Sequence, residues 1–256
     1  LNGGNGLRVF PGDKLFAYNV ASLQYLLDNA VNGDTIELVA DIEGDVTVNQ
    51  KADVKIAIEG NNHKYAGVIT VDGKSKTYTT AGVTIKNLNF EADAISADAC
   101  IRLGNGTNAT RYTCNVAVEG CTFNVPGAVA VKSYTGGDKN LTIKGCTATG
   151  LHSLLQVKNI EGVTIEGVTV DAGRGASFGV SSNIVVKNST FVAESYGLRA
   201  DGSVEATLAI ENVKLAFDPY TNVKFGMYTY GSTTNEEDWP FMRVEEMILI
   251  QAEAYI

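Results

Sequence analysis

From residue 56 to about 217, short runs of alternating apolar and polar positions end again and again on Gly or Asn. The pattern is apolar, any, apolar, any, Gly/Asn, then any, any and usually apolar. The copies are Ile56-Ala-Ile-Glu-Gly60, Val83-Thr-Ile-Lys-Asn87, Val116-Ala-Val-Glu-Gly120, Leu141-Thr-Ile-Lys-Gly145, Val163-Thr-Ile-Glu-Gly167, Ile184-Val-Val-Lys-Asn188 and Leu208-Ala-Ile-Glu-Asn212. Their starts lie 27, 33, 25, 22, 21 and 24 residues apart. Repeats of this length mark a solenoid or an array, and the β-branched residues make its unit a strand rather than a helix. The fifth position names the device. Gly and Asn occupy the left-handed backbone region at low cost, so a strand that bends once per repeat places them there. Next come mostly apolar residues, Leu88, Cys121, Cys146, Val168 and Val213, as expected of a chain that turns a corner and sends its next side chain inward.

A second strand per repeat reads Val68-Ile-Thr-Val71, Ile101-Arg-Leu103, Val129-Ala-Val131, Leu155-Gln-Val157 and Leu198-Arg-Ala200. Coils built this way stack at strand spacing, about 4.8 Å. The expected fold is all-β, a parallel β-helix. The corner ladder over most of residues 34–217 resembles the pectin-lyase-like superfamily, which implies a right-handed coil and says almost nothing about activity.

Outside the repeat, Leu23, Leu26, Leu27, Ala30 and Val31 recur at helical spacing, predicting a short amphipathic helix over residues 21–31. Ser22 or Asn19 would cap its start, Gly33 would end it, and the helix would close the first coil. A strand is expected over 34–39. Near the other end, Pro240 with three acids before it begins a second helix whose apolar face carries Phe241, Val244, Ile248 and Tyr255. The run Trp239-Pro-Phe-Met-Arg243-Val-Glu-Glu246, with Ala252-Glu-Ala254, resembles a segment of SusD/RagB-type outer-membrane nutrient-binding lipoproteins. That likeness takes in residues 220–256 at most. It implies an envelope protein of a Bacteroidetes-like bacterium and a protein partner met through this helix, or a fusion of unrelated pieces. The expected division is 1–33 for the N-terminal segment and capping helix, 34–230 for the β-helix and 231–256 for the helical tail, which would cover the last coil. The opening on Leu1 reads as that of a processed or trimmed chain, and the expected location is secreted or in the cell envelope.

Composition sharpens this picture. Among 256 residues there are 27 Gly and only 4 Pro, as corners and hydrogen-bonded interior strands require. The formal net charge of −9 argues against nucleic acid as partner. No apolar run is long enough for a membrane helix. Residues 235–256 carry six acids and one arginine, so most of the acidity belongs to the tail.

Chemistry is harder to find. Hydrolases of this architecture need paired carboxylates about 5–9 Å apart, and no Asp-Asp pair occurs. Lyases need a base beside a substrate carboxylate, usually with Ca²⁺ held by several acids, whereas here the acids are scattered. The best candidate surface is the outward side of the second strand: Arg102, Lys132, Gln156, Lys158 and Arg199, with Asp201 at one end and Tyr134 and Tyr196 flanking. The segment Asp171-Ala-Gly-Arg174-Gly175 is read as a turn nearby. A basic strip with tyrosines suits a polysaccharide or surface glycan; equally, charges simply occupy solvated strand positions. His63 and His152 are read as structural. Cys121 and Cys146 share a slot in consecutive repeats, within disulfide reach, or else serve as free thiols in an apolar ladder; Cys100 and Cys114 are a second pair. Three functions follow: a non-catalytic glycan-binding or adhesive module without cofactor, a polysaccharide lyase or glycoside hydrolase (the lyase alone calling for Ca²⁺), or a structural spacer in a larger surface protein.

Overall fold

Ile56, Val83, Val116, Leu141, Val163, Ile184 and Leu208 are successive strand partners, so all seven motif copies stack in register. They do so in a computed structural model that describes residues 14–73, 79–104, 112–133, 137–201, 208–216 and 229–230. Every pairing is parallel, and the strands form one sheet of fifteen and another of eight, which makes the chain a parallel β-solenoid of about eight coils. In-register stacking places like beside like. The column Ile58, Ile85, Val118, Ile143, Ile165, Val186 is fully buried.

The corner behaves as its residues demand. Asn87, Gly120, Gly145, Gly167, Asn188 and Asn212 all have φ between +49° and +64°. Gly60 departs from the expectation. The left-handed residues at that corner are Asn61 and Asn62, at φ 48° and 61°. Gly60 is needed for space instead, because a Cβ there would fall 2.4 Å from the Asn87 carbonyl oxygen. Beyond the corner, Leu88, Cys121, Cys146 and Val168 are buried, as expected of inward side chains.

A short strand follows each corner and brings Tyr65, Phe90 and Phe123 into one interior column. Tyr65 meets Phe90 edge-on at 5.5 Å, and Phe90 stacks on Phe123 at 4.9 Å. Such ring contacts add about 0.5–1.5 kcal/mol each beyond the area they bury. All four cysteines are buried free thiols. On consecutive coils the Cys121 thiol donates to the Ile85 carbonyl and the Cys146 thiol to the Val118 carbonyl, and burial pushes the Cys100 thiol up to about 12.

The helix, α1 (Val20–Asp28), is shorter than the predicted 21–31. The Asn19 side chain caps it and Ser22 reciprocates in a capping box, so both candidate caps act together. Asn29, not Gly33, follows its last turn; Gly33, at φ 90°, lies in the turn beyond. Leu23, Leu26 and Leu27 join the core, and α1 packs against Lys14–Ala17, Thr35–Leu38 and Val46–Gln50 at the first-coil end. At the other end, Leu208–Ala216 pairs with Ser182–Ala193, and Thr229–Tyr230 adds a rung to the second sheet. The predicted C-terminal helix lies outside the described residues.

Candidate functional site

Alternation along the second sheet sets one residue of each coil facing outward at the same height. Thr47, Thr70, Arg102, Lys132, Gln156, Ser177 and Arg199 are successive partners in that column. Four residues of the predicted strip therefore share a single register line. Lys158 lies two positions further along its strand and pairs with Gly179, which pairs in turn with Asp201, so these two belong to a parallel column. Tyr134 lies outside the described residues.

Two expectations need correction here. Residues 171–175 are not simply a turn: Arg174 begins a strand, Arg174–Gly179, that supplies the coil between Gln156 and Arg199. Tyr196 is not an exposed flanking ring either. It is buried, and the Arg174 and Arg199 guanidinium carbons each lie 5.7 Å from its ring centre. A guanidinium over an aromatic face is held by the ring's quadrupole, so Tyr196 helps to position both arginines.

His152, read above as structural, belongs to this face. Its Nε2 is 3.3 Å from Arg174 Nη1. A guanidinium only donates, so Nε2 accepts and the ring proton sits on Nδ1. Burial first, then the Arg174 and Lys132 charges, hold His152 below its ordinary value of 6.5, so it is neutral at pH 7. Lys132 in turn pairs with Asp98 at 2.5 Å. A sequence signal for this grouping existed: His152, Arg174 and Tyr196 are spaced by 22 residues, one coil each. It was hidden because none of the three has a chemical partner nearby in the chain.

The chemistry available is that of an anion receptor. Arg102, Lys132 and Arg199 share the outward column with Gln156, a neutral donor and acceptor, while Arg174 meets the His152 imidazole and shares the Tyr196 ring with Arg199. Among the described residues, no three His, Cys, Asp or Glu side chains come together as a metal site.

No family model matches the chain, nor does any curated protein. The SusD/RagB likeness of residues 220–256 accordingly finds no support. Among solved structures, the chain is similar to the alginate lyase of Paenibacillus sp. str. FPU-7, at 12% identity and a TM-score of 0.33 over 85% of this chain and 99% of that one. No residue role passes from that enzyme to this chain at such a distance.

Proposed function

We propose that this chain is a non-catalytic β-helix module of the cell surface that binds an acidic polysaccharide along the outward face of its second sheet. The observation that carries the reading is the register line through Arg102, Lys132, Gln156 and Arg199. Coils repeat at about 4.8 Å, so the column offers its side chains at a regular interval to an extended chain laid along the stack. Arginine suits this task because its planar fork takes a carboxylate through two parallel hydrogen bonds. A right-handed coil of the pectin-lyase-like type accords with this reading, as does a location outside the cytoplasm, where such polymers are met.

One observation favours a second reading, a polysaccharide lyase. A neutral imidazole is the form a proton-abstracting base must have, and Arg174 beside it would neutralise a uronate carboxylate.

The test is binding of oligogalacturonate by calorimetry, with ultraviolet absorbance of the same mixtures recorded over time. The parent protein should saturate. Joint replacement of Arg102, Lys132 and Arg199 by alanine should weaken binding by roughly a hundredfold, since each hydrogen bond to a charged group is worth about 1 kcal/mol or more. Unchanged affinity in that variant would remove the strip as the binding face. An unsaturated product that disappears in His152→Asn would establish the lyase instead.

A further inference from the structure

Among the described residues of this face His152 is the one histidine, and the arrangement around it is one that an anion would alter. In the free protein its Nε2 takes a hydrogen bond from Arg174. Protonation would remove that acceptor and set imidazolium against guanidinium. The surroundings are lopsided. From the preceding coil comes Lys132, paired with Asp98; from the following coil comes Arg174; beyond it, Arg199 shares the Tyr196 ring with Arg174. The acids of the adjoining turns are Asp171 and Glu194, and Glu194 Oε2 lies 3.9 Å from where a Cβ on Gly173 would sit. Among the described residues neither forms an ion pair with His152 or Arg174. The subsite thus holds cations from three coils around an imidazole, and no carboxylate of the described residues is paired to its central guanidinium.

We infer that His152 and Arg174 form a proton-linked anion subsite, in which a carboxylate of an acidic sugar is bound against Arg174 and Arg199 with uptake of one proton by His152. The inference rests on the reading of this face as a polysaccharide-binding surface and adds its regulation. An anion seated here gives Arg174 an acceptor in place of the imidazole and makes the imidazolium favourable, so binding raises the affinity of His152 for a proton. By linkage, a proton on His152 raises the affinity for the anion by the same factor. Sugar carboxylates stay ionised well below pH 5, so the protein's own proton sets the response. Binding therefore tightens as pH falls, by no more than tenfold per pH unit for a single proton, and levels off once His152 is protonated in the free protein.

Calorimetric titration of the full chain with oligogalacturonate, in buffers of different ionisation enthalpy, counts the protons taken up. Affinity should rise by roughly five- to tenfold from about pH 7.5 to about pH 5.5, with uptake approaching one proton between them. In His152→Asn that ratio should collapse to less than about twofold, while His63→Asn, at the chain's other histidine, should keep the parental ratio. Circular dichroism and thermal melting confirm that both variants fold. Nuclear magnetic resonance gives an independent reading: the His152 pKa should move up when the protein is saturated with oligogalacturonate, and that of His63 should not. Binding with no proton uptake, or with the same pH dependence in His152→Asn, would overturn the linkage and leave the binding surface standing. Failure to bind at any pH would overturn both.

Discussion

Down the corner-bearing strands the outward column reads Glu59, Lys86, Glu119, Lys144, Glu166, Lys187. Down the second sheet it reads Arg102, Lys132, Gln156, Ser177, Arg199. The backbone is the same in both: parallel strands in register, one side chain per coil. From Glu59 on the sign alternates (Glu37, the partner before it, is held instead by Lys14 at 2.8 Å), and Glu59 takes Lys86 at 3.2 Å while Glu166 lies between Lys144 at 3.8 Å and Lys187 at 3.5 Å. Like charges in register repel, so alternation is the arrangement a sheet adopts when its charges serve only the sheet. The second column places cations one or more coils apart without alternating acids. One face alternates acid and base within its own column; the other column holds no acid, and its Lys132 pairs with Asp98 from the preceding coil.

The sharpest way to break this contrast is to deform the second face without touching its charges. Gly175 follows Arg174, and a Cβ there would fall 1.8 Å from the Gly197 carbonyl oxygen of the next coil. That atom is backbone and cannot swing aside. Gly175→Ala should therefore cost about 3 kcal/mol or more in urea unfolding, at the upper end for overpacked sites. It should also weaken oligogalacturonate binding although every cation remains. Full affinity in a variant that has lost stability would mean that the spacing of Arg174 and Arg199 across coils does not matter.

Gly175 also shows where sequence reasoning reached its limit. The corners were legible because a single backbone requirement, the left-handed conformation, recurs with a recognisable residue type at Asn87, Gly120 and Gly145. The strand Arg174–Gly179 was not legible. Its sequence, Arg-Gly-Ala-Ser-Phe-Gly, has glycine at two of six positions and no β-branched residue, so strand propensity pointed to a turn. What holds it as a strand is close packing between coils, visible only once Gly197 is beside Gly175. The proposed binding strip is half legible for the same reason. Arg102, Lys132, Gln156 and Arg199 sit in motifs whose alternation fixes their side, whereas His152 and Arg174 lie at strand starts where alternation is silent. The burial of Tyr196 is not readable from its neighbours Ser195 and Gly197, because it comes from the coil stack.

A smaller effect probes the other face. Lys144 stands in register between Glu119 and Glu166. Lys144→Glu would create three like charges in a row, at a cost of about 0.5–1 kcal/mol in unfolding free energy. The loss should shrink at high salt, because these groups are exposed enough to be screened. Affinity for oligogalacturonate should not change. If binding fell with the ladder's charge, net charge rather than the local arrangement of the second face would be governing it.

The smallest expected effect separates the cost of His152 from its use. In the folded chain, burial and the nearby Arg174 and Lys132 charges keep its pKa below the ordinary 6.5. As pH falls past 6.5 the unfolded chain takes up a proton that the folded chain resists, so stability drops until the lowered folded value is passed. His152→Asn removes this effect. Without ligand, the parental melting temperature should therefore fall by about 1 °C more than the variant's between about pH 7 and about pH 5. With saturating oligogalacturonate the order should reverse, since the bound anion makes the same proton stabilising. A parental protein that loses stability in acid both with and without the ligand would place His152 in the stack's own structure, like the charges of the alternating face.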